Sequence, residues 1–120
     1  MNILTKTEQK QKDINKTIIM TEMINILKKK VWLKNRIFAL YTLAMIQKLQ
    51  RDELNQYIET QKANGENPIQ PLNLEDLIGY NDMVNTIKND QRPEVKVAAI
   101  QALEHVAEAS EKAKVEEVLA

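Results

Sequence analysis

The chain has 120 residues, of which 43% are hydrophobic and 28% charged, and its formal net charge is zero. This is the size and composition of one ordinary domain with its own core, so we expect a single domain over residues 1–120. Because the chain has no cysteine, disulfides, a thiol nucleophile and cysteine-containing metal sites are excluded.

The first half of the chain predicts three helices. Thr5 and Glu8 form a possible capping box for a helix over residues 7–29, with Ile14, Ile18, Met23, Ile24 and Leu27 near one face. A break near residues 30–33 precedes a second helix over residues 33–49. Its apolar face is wide enough to be mostly buried and comprises Ile37, Leu40, Leu43, Ala44 and Ile46. Asp52 and Glu53 are typical of the first turn of a short third helix that ends at Ile58.

The second half begins with a segment that breaks helices, residues 61–72, which holds Gly65, Pro68 and Pro71. Asn73 is a predicted N-cap of a fourth helix that runs to residue 89 and is weakened by Gly79. Residues 90–92 form a predicted turn before a helix that starts at Pro93, and a last helix covers residues 111–119. No segment alternates like a strand, so the predicted fold class is all-α.

Residues 23–46 and 83–106 are two versions of one segment, sixty positions apart. Met23 aligns with Met83, Leu40 with Ile100 and Leu43 with Leu103, so apolar positions keep their class. Such a repeat predicts stacked units that bury faces on one another. We predict two tandem helical units, residues 13–58 and 73–119, joined by a connector at 59–72. Together they form a short α-solenoid-like or helical-bundle domain.

The second copy resembles the HEAT repeat, an armadillo-type helical repeat, at residues 83–106. The resemblance rests on an Asp-containing turn, a proline, a Val-basic pair and spaced Ala and Leu. Those places are Ile87, Asp90, Pro93, Val95, Lys96, Ala99 and Leu103. The first copy, residues 23–46, matches more loosely, with Lys30 at the position of Asp90 and Leu33 at that of Pro93. The resemblance implies an α-solenoid fragment of a family that acts mainly as protein-binding scaffolds and less often binds nucleic acid.

The most suggestive surface element is a basic turn with one aromatic side chain. It comprises Lys28, Lys29, Lys30, Trp32, Lys34 and Arg36. Cations neutralise phosphates and an indole can stack on a base, so this turn is a candidate contact for nucleic acid or another partner. The alternative is a solvated turn in which Trp32 fills the gap between helices.

No residue set indicates catalysis, a cofactor or a metal. His105 has no second histidine or cysteine to share a metal ion, and Ser110 lacks the surroundings of a nucleophile. Glu108, Glu111, Glu116 and Glu117 are spaced like a solvated helix face without a paired base. Met20, Met23, Met45 and Met83 fit a core or a flexible binding groove, and Tyr41 and Tyr57 fit a core rim or a contact.

The predicted function is therefore a non-enzymatic protein-interaction or scaffold module; the alternative is a nucleic-acid-binding protein that uses residues 28–36.

Residues 1–60 carry 11 Lys/Arg against 6 Asp/Glu, and residues 61–120 carry 6 against 11. Such asymmetry sets up a dipole that can steer partners or favour head-to-tail contact between copies; the alternative is that the surface charge has simply drifted. The expected partner is another protein or a second copy, for which a two-fold dimer is the commoner arrangement. A third alternative is the start of a longer scaffold. With no secretory pattern and no apolar run that spans a bilayer, we expect no membrane contact and a cytoplasmic location.

Overall fold

A computed structural model describes residues 6–29 and 32–120 of the chain, and over these residues it has five α-helices and no β-strand. The all-α prediction is confirmed. The helices are α1 (Lys6–Lys29), α2 (Leu33–Ala63), α3 (Tyr80–Asn89), α4 (Pro93–Val106) and α5 (Lys112–Leu119). Thr5, half of the predicted capping box, lies outside the described residues.

Helix α2 is one continuous helix of 31 residues, where the sequence predicted two. The acidic pair that suggested a new helix start, Asp52 and Glu53, lies inside it. Asp52 instead pairs with Lys48 one turn earlier, at 3.1 Å, and Glu53 pairs with Lys16 of α1, at 2.8 Å. Both carboxylates therefore support a helix that is already formed, and the connector begins only after Ala63.

The predicted fourth helix over residues 73–89 is divided in two. A 3₁₀ turn covers Leu74–Asp76, and α3 begins only at Tyr80, after Gly79 with a φ of +90°. This left-handed conformation interrupts the helix and is one that glycine adopts without steric cost. The buried amide of Gln47 donates to the carbonyl oxygen of Ile78 at 2.7 Å and so fixes the bend against α2.

The helices pack as two hairpins laid side by side. Helices α1 and α2 run antiparallel, since Lys12 near the start of α1 pairs with Glu53 far along α2, at 3.0 Å. Helix α4 packs on both α2 and α3, and α1 also contacts α3. Helices α2 and α4 run in the same direction, because Arg36 pairs with Asp90 just before α4, while Arg51 reaches Val106 at its end.

The core lies where the two hairpins meet. Its fully buried side chains include Met20, Leu40, Leu43, Leu74, Met83, Val95, Leu103 and Val106. Of the residues predicted on the inner face of α1, Leu27 is buried, Met23 and Ile24 are partly buried against the core, and Ile14 and Ile18 are exposed. Met20 takes their place in the core, so the prediction of the buried face was wrong for the first half of α1.

A buried ion pair between Arg51 and Glu111 joins α2 to the turn before α5. The Arg51 Nη1 atom lies 2.7 Å from Glu111 Oε1, and Arg51 also donates to the carbonyl oxygens of Leu72 (2.9 Å) and Val106 (3.3 Å). The Glu111 carboxylate accepts hydrogen bonds from the backbone N–H groups of Leu74 and Glu108. One charged cluster thus holds the connector, the end of α4 and the last turn together.

The pKa of Glu111 reflects this cluster. Burial by itself raises the pKa, but the hydrogen bonds from Arg51, Glu108 and Leu74 and the charge of Arg51 outweigh burial, so the pKa lies below its ordinary value of 4.5. Because the folded-state pKa is the lower one, the stabilisation is fully present above the unfolded-state pKa. It is lost as the pH falls through the folded-state value.

We expect Glu111→Gln to destabilise the fold near neutral pH, and the difference from the unmutated chain to shrink as the pH falls from about 6 to about 3. Urea unfolding followed by far-UV circular dichroism across this range measures it. Glu75→Gln is the control, since Glu75 pairs with Lys114 on the surface. Added salt should abolish the effect of the control but retain most of that of Glu111→Gln. A difference that grew towards low pH would contradict the assignment.

We also expect Gly79→Ala to destabilise the fold by about 2 to 4 kcal/mol, because a left-handed φ is unfavourable for alanine and the core tolerates added volume poorly. An added Cβ at Gly79 lies only 2.7 Å from Leu43 Cδ2. Gly65→Ala is the matched control, since Gly65 has a φ of +72° but open space around its Cα. It should cost only about 1 to 2 kcal/mol. Equal losses in urea unfolding would contradict the close packing on Leu43.

Candidate functional site

Most of the predicted basic turn is on the surface. Lys28, Lys29 and Lys34 are exposed, and Lys30 lies outside the described residues. Trp32 is 76% exposed, so it does not fill the gap between the helices. It borders an open recess together with Arg92 from the turn before α4. The turn therefore presents several cations and one bare indole to solvent.

Arg36 is a correction to the predicted site, because its side chain is buried. Its guanidinium Nη2 pairs with Asp90 Oδ2, whose side chain is also buried. The other oxygen of Asp90 accepts a hydrogen bond from the N–H of Arg92, at 2.9 Å. Arg36 therefore links α2 to the turn before α4 and is not offered to a partner.

An apolar stripe on the outer side of α2 is a feature that the sequence did not single out as a site. We define the α2 stripe as Phe38, Tyr41, Met45 and Leu49, which follow one another at intervals of three and four residues and so share one side of the helix. Their exposed fractions are 64%, 48%, 61% and 45%. Each is a large side chain that a stable core normally covers, so this row is an uncovered apolar face.

The opposite side of α2 is buried. Leu40 and Leu43 are each two positions from a stripe residue, about 200° around the helix, and neither is exposed to solvent. Helix α2 is therefore apolar on both sides over residues 37–49. A helix of that kind is normally buried all round. Among the elements that the structure describes, none covers the stripe.

Helix α4 borders the stripe on one side. The hydroxyl of Tyr41 donates to the side-chain oxygen of Gln101 on α4, at 3.2 Å. Val97, one turn before Gln101, is half exposed. Glu94 and Glu104 follow the same row of α4 and are exposed, so an acidic row runs beside the apolar one.

Helical spacing groups the four stripe residues in the sequence, but it does not show that their side of α2 is the uncovered one. Both faces of α2 satisfy the helical period, and the face with Leu40 and Leu43, predicted to be mostly buried, is buried. The sequence leaves Tyr41 open between core rim and contact, and Met45 between core and binding groove. Both prove to be exposed. Phe38 and Leu49 complete the same row.

The remaining candidates do not form a site in the part of the chain that the structure describes. His105, Glu116 and Glu117 are exposed, and Glu111 belongs to the buried pair with Arg51. Among residues 6–29 and 32–120, no group of three or more His, Asp or Glu side chains is placed to hold a metal ion. No helix in these ranges is both long and apolar enough to cross a membrane.

No known protein family, characterised protein or solved structure matches this chain. Tyr41 and Gln101 stand sixty positions apart, at aligned places in the two copies, and they form a hydrogen bond with each other. The two aligned helices are thus direct neighbours in the fold.

Proposed function

We propose that this chain is a non-enzymatic protein-interaction module that binds other polypeptides through the α2 stripe. The observation that carries the proposal is that α2 is apolar on both sides while only one side is covered. Exposed contiguous apolar surface of this kind typically marks a protein-interaction site. Phe38, Tyr41 and Met45 also belong to the residue types that are enriched where proteins meet.

We further propose that the module consists of two HEAT-like units. The first unit is the α1–α2 hairpin and the second is the α3–α4 hairpin. Parallel packing of α2 on α4, with α1 beside α3, supports this interpretation, because tandem helical units stack equivalent helices side by side. Helix α5 packs on α4. A solenoid needs about three units to cover its faces, so a two-unit array leaves apolar surface for a partner.

The proposal predicts position-specific contact between the stripe and other chains in cells. A photoreactive benzoylphenylalanine in place of Met45 should give covalent adducts with another polypeptide, because Met45 lies in the middle of the stripe. The same group in place of Glu22, an exposed residue of α1, is the matched control and should give none. Adducts are detected by gel shift and mass spectrometry after irradiation of cells that naturally produce the protein.

A second substitution separates binding from folding. Met45→Glu should remove adducts from a photoreactive group placed at Phe38 while far-UV circular dichroism and thermal stability change little, since residue 45 is already exposed. The proposal is wrong if photoreactive groups at Phe38 and Met45 give no adduct of any mass, or if the Glu22 position gives the same adducts.

Nucleic-acid binding by the basic turn is a second candidate function. The observation that favours it is the exposure of Trp32 between Lys29 and Lys34, with Arg92 across the recess. A bare indole flanked by cations is the arrangement that stacks on an unpaired base while the cations contact phosphates. The balanced net charge of the whole chain does not favour it.

Trp32 is the only tryptophan, so its fluorescence reports directly on this turn. We expect single-stranded oligonucleotide to quench it, with an affinity that falls steeply with salt. Charge reversal of Lys28, Lys29 and Lys34 to Glu should abolish binding. The matched control reverses three exposed lysines elsewhere, Lys10, Lys88 and Lys112. No quenching at low salt, or equal loss in both triple variants, would remove this candidate.

A further inference from the structure

The outer face of α2 has a nearly symmetric arrangement of residue types, with four apolar side chains between a cation at one end and an anion at the other. From the start of the helix their order is Lys34, Phe38, Tyr41, Met45, Leu49 and Asp52. Read backwards, apolar positions meet apolar positions, and the cation at one end meets the anion at the other. A two-fold interface needs this property, because each copy presents the same patch to the other.

We propose that the α2 stripe binds a second copy of this chain, with the two α2 helices packed antiparallel about a two-fold axis that crosses the stripe midway between Tyr41 and Met45. This inference rests on the proposed function and names the partner of that surface. Met45 of each copy packs against the partner's Tyr41, and Phe38 packs against the partner's Leu49. Lys34 of each copy faces the partner's Asp52 at both ends of the row.

The helical period places the charged ends correctly for this arrangement. Lys34 and Asp52 are eighteen residues apart, which is five turns of about 3.6 residues, so they lie on the same edge of α2. They are separated by about 27 Å, and an antiparallel pair at a crossing angle of about 20° keeps both ends in reach. Within the described residues, no ion pair involves Lys34, whereas Asp52 pairs with Lys48 on the exposed surface, at 3.1 Å.

Two features limit the strength of this dimer. One helix face per copy buries less than the roughly 1,200 Å² at the lower end of standard interfaces, so we expect a dissociation constant on the order of 10 µM. An antiparallel two-fold pair also places both α4 helices on the same side, where Glu94 and Glu104 of one copy approach the acidic row of the other. Salt near 0.15 M screens this repulsion beyond about 8 Å.

Sedimentation equilibrium from about 1 to about 500 µM tests the dimer. We expect a monomer–dimer equilibrium for the unmutated chain. Met45→Glu should weaken it at least tenfold, since two buried charges would meet near the axis. Thr60→Glu is the control on the same helix, because residue 60 is exposed beyond the row, and it should leave the equilibrium unchanged.

Charge reversal at the ends of the row tests the antiparallel register. Lys34→Glu and Asp52→Lys should each weaken the dimer several-fold, because each creates two like-charged contacts, and the double variant should recover most of the loss. In a parallel dimer Lys34 would face the partner's Lys34, so combining Lys34→Glu with Asp52→Lys would not restore dimerisation. Circular dichroism confirms that each variant folds.

The outcomes separate this inference from the proposed function. A chain that stays monomeric up to about 500 µM overturns self-association, and adducts at Met45 whose mass differs from that of two copies would then assign the stripe to a different protein. A dimer that is insensitive to Met45→Glu, or one in which the double charge variant is no better than either single variant, also overturns the inference. Adducts with the mass of two copies, together with restored dimerisation in the double variant, support it.

Discussion

The burial of Arg51 is the constraint on which the relation between the two hairpins depends. Its guanidinium lies inside the protein, and removing such a charge from water costs several kcal/mol unless every donor finds an acceptor. The acceptors come from three distant places: Leu72 in the connector, Val106 at the end of α4, and Glu111 before α5. The cation is therefore satisfied only when all three segments have reached their final positions.

A second buried arginine completes the alignment of α2 with the second hairpin. Arg36 lies fifteen residues before Arg51 on α2, and it pairs with Asp90. Both cations come from the basic half of the sequence, and their partners, Asp90 and Glu111, come from the acidic half. Part of the charge difference between the two halves thus serves to form ion pairs within the chain. Two fixed points along one helix leave it no freedom to rotate, which holds Phe38 and Met45 outward.

Local signals in the sequence were enough for much of the fold but not for its long-range charges. Pro93 after an Asp-containing turn located the start of α4, as the structure confirms. Asp52 gave a false helix start because a carboxylate in a first turn and one that pairs within a helix look alike in sequence. Arg36 was grouped with exposed cations for the same reason: its partner, Asp90, is 54 positions away.

The α2 stripe could not be recognised from periodicity alone, because both sides of α2 carry apolar residues at helical spacing. Choosing between the sides requires knowing which one carries the arginines that find acceptors in the second hairpin. Arg36 and Arg51 lie on the same side as Leu40 and Leu43, and the core forms there. The face with Met45 has no buried polar group to anchor it, so it is the one left available for a contact between chains.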